Sequence, residues 1–252
     1  TVSTALTVNA IPLVAAISGT TEVCAGSTTA LANATANGVW TSSNTAVATV
    51  NASGVVTGVG AGSATITYTV TTNGCTANAQ ATVNVNALPT LAPIAGVMNA
   101  CIGSSTILTN TTTGGAWTSS NTNVATVNSI TGAVSGVSAG TSTITYTYTN
   151  SNGCTSAVTT TVTINSAPVV AAITGTTSVC EGATTALANA TANGVWSTAN
   201  TATATVNATG VVTGVASGST TILYTVTNAN GCVTTVSTAL TVNAIPLVAA
   251  IS

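Results

Sequence analysis

The sequence predicts an all-β chain of small two-sheet sandwiches in tandem. Three observations carry that expectation. Markers of Cys, Trp and Pro recur with a period of about 78 residues; short runs of Val, Ile, Thr and Tyr alternate with Gly, Asn and Ser turns; and good helix formers other than Ala are scarce.

The period comes first, because internal repeats govern every later assignment. Cys24, Cys101 and Cys180 are each followed sixteen residues later by Trp40, Trp117 and Trp196. Cys75, Cys154 and Cys232 each follow Asn-Gly. Pro12, Pro89, Pro168 and Pro246 close similar Asn-led joins. These markers divide the chain into 12–88, 89–167 and 168–245, flanked by 1–11 as the last strand of a preceding domain and 246–252 as the first strand of a following one. Residues 1–18 are identical to 235–252, an offset of 234 residues or three repeats. The expected parent is an array with that larger period. Residues 28–40 and 184–196 are identical while the middle repeat diverges.

In the first repeat, strands are expected near Leu13–Ser18, Thr28–Thr35, Val39–Ser42, Val47–Asn51, Val55–Val59, Ala64–Thr71 and Ala77–Val85. Seven strands in about 78 residues suit a two-sheet sandwich. Alternation sets the faces: Ile66, Tyr68 and Val70 share one side, Thr65, Thr67, Thr69 and Thr71 the other. The aliphatic side belongs to the core. Trp40, Leu31, Val50 and Val56 are expected there too, with Trp117 and Trp196 in the equivalent sites and Tyr146 and Tyr224 matching Tyr68.

The string WTSSNTAVATVNASGVVTGVGAGSATITY, Trp40–Tyr68, resembles the bacterial immunoglobulin-like group 2 repeat: Trp-x-Ser-x-Asn, Val-Ala-x-Val, Gly-x-Val-x-Gly-Val, Gly-x-x-x-Ile. The middle repeat matches through Trp117, Val124–Val127, Gly132–Val137 and Ile144. The third matches through Trp196, Gly210–Val215 and Ile222, with Thr203 where the pattern has Val. The resemblance implies immunoglobulin-like β-sandwich domains set end to end in a giant bacterial surface protein, serving as stalk or spacer. The cysteines are additions to the family pattern.

Under immunoglobulin-like topology, Cys24 falls at the turn between the first two strands and Cys75 just after the last hairpin turn. Five strands separate them, so they belong at opposite poles. A strand of eight residues spans about 26 Å, whereas disulfide Cα atoms lie about 4.4–6.8 Å apart. In an end-to-end stack the preferred pairs are interdomain, Cys24–Cys154 and Cys101–Cys232, leaving Cys75 and Cys180 to domains beyond this chain. Because that topology is itself inferred, the intradomain set Cys24–Cys75, Cys101–Cys154 and Cys180–Cys232 stays open.

Composition bounds function sharply. The chain has no Lys, Arg, His, Asp or Phe, and its only side-chain carboxylates are Glu22 and Glu181. No general acid–base pair or activated nucleophile can be built from these types, so no enzyme, catalytic residue or cofactor is expected. Without cations there is no means of gripping phosphates, so no nucleic-acid partner is expected. Two unclustered Glu and widely spaced Cys offer no metal site. The longest apolar run, Ile11–Ile17, is far short of a membrane span. Six cysteines with no metal-like spacing point to an oxidising compartment, outside the cell or at its surface. Sequons at Asn33, Asn51, Asn110, Asn189 and Asn207 fall within the chance expected of an Asn- and Thr-rich chain, and outward Thr ladders satisfy strand propensity on a wet face. The expected function is a structural segment of a long extracellular fibre or surface stalk that associates with further copies of its own repeats. The alternative is a spacer or ligand-binding region of a surface adhesin; short, nearly copied loops argue against binding.

Overall fold

The computed structural model describes residues 3–246, so nearly all of the expected following strand, 246–252, lies outside the described residues. All regular structure among them is β. The chain falls into two compact units, Thr1–Ile94 with Asn110–Ala116 and Tyr146–Val158, and Ala95–Thr109 with Trp117–Thr145 and Thr159–Ser252.

The first repeat runs β1 (Ser18–Gly19), β2 (Glu22–Cys24), β3 (Thr28–Ala32), β4 (Val39–Ser42), β5 (Ala48–Val50), β6 (Val55–Gly58), β7 (Gly62–Thr72) and β8 (Cys75–Asn86). One sheet has the order β1-β3-β6-β5 and the other β2-β8-β7-β4. Both feed one core: Leu31, Ala48 and Val56 from the first pack with Val23, Ala64, Ile66, Val83 and Val85 from the second. Ile66 and Val83 are fully buried while the Thr residues between them are not, as the twofold side-chain period of a strand requires.

Two features depart from the sequence expectation. The opening strand, expected over Leu13–Ser18, is two short strands in different sheets: β1 pairs antiparallel with β3, and β2 pairs parallel with β8. The crossover turns at Gly19, whose φ is +120° and whose missing Cβ would lie 2.3 Å from the Ala30 carbonyl oxygen. Cys24 therefore ends a strand instead of lying in a turn.

Residues 3–11, expected as a strand of a preceding domain, are in no strand. Residues 3–9 repeat residues 237–243, which form part of β24 (Val233–Asn243). There, Leu240 and Val242 are buried against the ladder of β23 (Gly218–Thr227). Leu6 and Val8, their counterparts, are 90% and 87% exposed. The same residues differ because a strand is defined by its pairing partner more than by its own propensity.

The middle repeat comprises β9 (Ala95–Gly96), β10 (Asn99–Cys101), β11 (Ser105–Thr109), β12 (Ala116–Ser119), β13 (Ala125–Val127), β14 (Ala133–Gly136), β15 (Gly140–Thr149) and β16 (Thr155–Asn165). The third comprises β17 (Thr174–Gly175), β18 (Ser178–Cys180), β19 (Thr184–Ala188), β20 (Val195–Thr198), β21 (Ala204–Val206), β22 (Val211–Gly214), β23 and β24. Both keep the strand orders of the first repeat.

The core aromatics are not equivalent. Tyr68, Tyr146 and Tyr224 are buried, and so is Trp117, but Trp40 and Trp196 are only half-buried at the edge of their cores. The loop after β13 is one residue longer than that after β5, and its Ser129 carbonyl accepts the Trp117 backbone N–H at 3.0 Å. Thr203, in the place of Val47 and Val124, is tolerated because its hydroxyl accepts a hydrogen bond from Asn200 Nδ2 at 3.1 Å.

Candidate functional site

Chemistry in this chain is concentrated where the second cysteine of one repeat meets the end of the preceding one. Cys24 is bonded to Cys154 and Cys101 to Cys232, each with Cα atoms 5.6 Å apart. Cys75 and Cys180 are free. The intradomain set Cys24–Cys75, Cys101–Cys154, Cys180–Cys232 is not formed, and the sheet register explains why. Cys24 stands opposite Asn86 at the far end of β8, the strand that Cys75 begins. A twelve-residue strand puts the two cysteines about 36 Å apart.

Each staple is organised by asparagine. In the first unit, the Asn150 side-chain oxygen accepts the backbone N–H groups of Asn152 and Cys154 at 3.0 Å each, closing the hairpin on which Cys154 sits. The Asn150 amide nitrogen donates to the Ala87 carbonyl at 3.2 Å. Cys154 Sγ lies 3.9 Å from the Asn86 carbonyl oxygen. In the second unit, Asn228 repeats the arrangement, bonding Asn230 and Cys232 through its oxygen and the Ser166 carbonyl through its nitrogen at 2.9 Å. Cys232 Sγ lies 3.8 Å from the Asn165 carbonyl oxygen, and Thr234 donates to the Pro168 carbonyl at 2.7 Å. Cys154 and Cys232 are buried, which shields both disulfides from thiols in solution.

Inside the repeats, polar side chains act as internal ties. Tyr68 donates to the Thr35 carbonyl at 2.7 Å and accepts the Gly38 N–H at 2.8 Å. Tyr224 does the same with Thr191 and Gly194, and Tyr146 with Thr112 and Gly115. The sequon residues Asn33, Asn110 and Asn189 each donate to the carbonyl of an opening segment, at Ala15, Ala92 and Ala171. Their oxygens accept the N–H two residues on. Asn51 and Asn207 cap turns through their oxygens. These Asx turns were not legible as ties, although Asn-x-Thr after a strand is their local signal.

The two carboxylates are far apart in sequence and have separate partners. Glu22 accepts from Asn84 and Asn86 at 2.8 and 2.9 Å, and these amides hold its carboxyl below the ordinary glutamate range. Glu181 accepts the Ser217 N–H. Among the described residues no three His, Cys, Asp or Glu cluster as a metal site would need, and no helix is long and apolar enough to cross a membrane.

Several solved structures are similar. Surface layer protein SbsC, domains 1–6, is 20% identical over 94% of this chain and 41% of its own length, with a TM-score of 0.26. A SusE-like surface-located polysaccharide-binding protein from Bacteroides thetaiotaomicron is 10% identical over 92% of this chain and 61% of its own, at a TM-score of 0.39. A three-domain segment of titin is 10% identical, covering 92% and 99% respectively, at 0.31. The chain thus spans about two fifths of the surface layer structure. None of the curated proteins compared matches it. Residues 2–83 match the family of bacterial Ig-like domains, group 2.

Proposed function

We propose that this chain is a structural, non-catalytic segment of an extracellular bacterial fibre, in which immunoglobulin-like repeats run in long series and associate side by side. The observation that carries the reading is the staple: the first cysteine of one repeat is bonded to the second cysteine of the next, twice, in the same register. A bond of this kind adds nothing to a ligand site; its effect is to transmit tension between successive repeats. Stable disulfides also belong to an oxidising compartment, which supports an extracellular or cell-surface location.

Side-by-side association is supported by the surface. Sheet edges usually carry Lys or Pro that discourage pairing with another chain. The edge strands β4 and β20 are uncharged and expose Val39 and Val195. With a net charge of −2 there is little repulsion to overcome. The test is electron microscopy of purified chain in low salt and in 1 M salt. Filaments that persist in both are expected, since uncharged contacts are not screened. A chain that stays monomeric at every concentration, or filaments that dissolve in high salt, would overturn the proposal.

A further inference from the structure

Five Asn-Gly pairs occur in the chain, beginning at Asn37, Asn73, Asn152, Asn193 and Asn230. This pair has an intrinsic reaction, in which the glycine amide nitrogen attacks the side-chain amide carbon of the asparagine before it. Glycine permits the approach, having no Cβ in the way and a wide choice of φ and ψ. The nitrogen must first lose its proton, so an acceptor that holds the N–H suppresses the attack. Four of the five are held in this way. Gly38 and Gly194 donate to the hydroxyls of Tyr68 and Tyr224 at 2.8 Å. Gly153 and Gly231 donate to the carbonyls of Asn150 and Asn228 at 3.0 Å. Gly74 is the exception. Strands β7 and β8 pair as far as Thr72 and Cys75, leaving a two-residue turn of Asn73 (φ 50°) and Gly74 (φ 82°). Among the described residues the Gly74 N–H has no acceptor. The hairpins carrying Cys154 and Cys232 are one residue longer, which brings their Gly N–H groups to the Asn150 and Asn228 carbonyls. Asn73 and Gly74 are both exposed, and a Cβ on Gly74 would meet nothing within 4 Å, so a ring has room to close. The Asn73 carbonyl oxygen accepts the Asn9 side-chain N–H at 3.0 Å. That oxygen shares the charge of the deprotonated Gly74 amide, so the bond favours the reactive form.

We propose that Asn73 is a self-modifying site, converted to aspartate and isoaspartate in the folded chain without an enzyme. Base removes the Gly74 amide proton, and the nitrogen attacks Asn73 Cγ to form a cyclic imide. The side-chain nitrogen takes up a proton and leaves as ammonia. Water then opens the imide at one of its two carbonyls. Cleavage at Cγ gives aspartate; cleavage at the main-chain carbonyl gives isoaspartate, with one extra carbon in the backbone. One water is consumed and one ammonia released, and no oxidant or reductant takes part. The product places a new carboxylate beside Cys75, on a chain whose net charge is −2. Isoaspartate also lengthens a turn that spans only two residues between Thr72 and Cys75, which loosens the end of the hairpin. This inference stands apart from the fibre reading, since it needs only a folded first repeat and is read by mass instead of microscopy.

The test is incubation of the full chain in mildly alkaline buffer, with samples taken over weeks, digested by pepsin in acid, where the reaction is arrested, and mapped by mass spectrometry. Conversion adds one mass unit to the peptide, and an isoaspartate-specific methyltransferase labels the isoaspartate product. Asn73 is expected to react about tenfold faster than each of the other four, the factor that one withheld hydrogen bond gives. In denaturant with reductant, where every N–H is solvated, the five should react at similar rates. Tyr68→Phe removes the acceptor of the Gly38 N–H and should bring Asn37 up towards the rate of Asn73. Asn73→Gln, with its longer side chain, should abolish the change at the turn. Equal rates among the five in the folded chain, another asparagine reacting first, or a preference for Asn73 that persists in denaturant would overturn the proposal.

Discussion

Pulling the chain from its two ends reads the staples directly. Force enters at residue 1, reaches Cys24 and crosses to Cys154. The shortest covalent route then runs back along the middle repeat to Cys101 and crosses to Cys232. About 96 residues of backbone lie on that route, against about 251 in the reduced chain. At roughly 3.5 Å per extended residue the oxidised chain stretches to about 340 Å and the reduced chain to about 880 Å. Three intradomain bonds would give nearly the same oxidised length, so the decisive molecule is Cys24→Ser combined with Cys154→Ser. With the staples as found, one bond is lost and the route becomes about 120 residues, or roughly 420 Å. With intradomain bonds, two would be lost and the route would be about 199 residues, or roughly 700 Å. Single-molecule force spectroscopy measures this contour length, and a value near 700 Å for the double variant would refute the staple argument.

Other outcomes follow from local contacts. Gly38→Ala would place a Cβ 2.2 Å from the Tyr68 ring and disrupt the tyrosine tie; overpacking of this kind costs about 1–3 kcal/mol, seen as a lower thermal midpoint, while Gly38→Ala at wild-type stability would refute the packing account. Asn33→Ala removes the bonds to Ala15 and Thr35 and should lower stability by about 1–2 kcal/mol in chemical denaturation. Closing a loop of 130 residues restricts the unfolded chain by about 5 kcal/mol, so reducing the chain should lower its denaturation midpoint markedly. The depressed Glu22 carboxyl contributes stability above the ordinary glutamate pKa of about 4.3, and that contribution is lost as pH falls through the lower folded value. The thermal midpoint of the wild type should therefore fall more steeply in acid than that of Glu22→Gln; parallel curves would count against it.

How much was legible in the sequence differs from residue to residue. Val39–Ser42 is a strand in the bounds expected for it, because a turn precedes it and its alternation is clear. Glu22–Cys24 was missed: three residues carry no readable period, and their partner Asn84–Asn86 lies 62 residues away. Residues 3–9 read as a strand on every local criterion and are not one, since pairing is supplied from elsewhere in a chain. The half-burial of Trp40 against the burial of Trp117 depends on one extra residue in a neighbouring loop, which a pattern centred on Trp does not register. For the cysteines, the five strands expected between Cys24 and Cys75 favour the interdomain pairs and leave the intradomain set open; the pairing of Cys24 with Asn86, at the far end of the strand that Cys75 begins, is what separates the two.

The staples also make the chain a network instead of a line. Between the joint at Cys24–Cys154 and the joint at Cys101–Cys232 run three covalent routes: residues 24 to 101, 101 to 154 and 154 to 232. A break in any one leaves the other two intact. A single proteolytic nick or oxidative scission anywhere from residue 25 to residue 231 therefore leaves both ends of the molecule joined, and failure requires three separate cuts. Tolerance of this kind is built into the order of the four bonded cysteines along the chain.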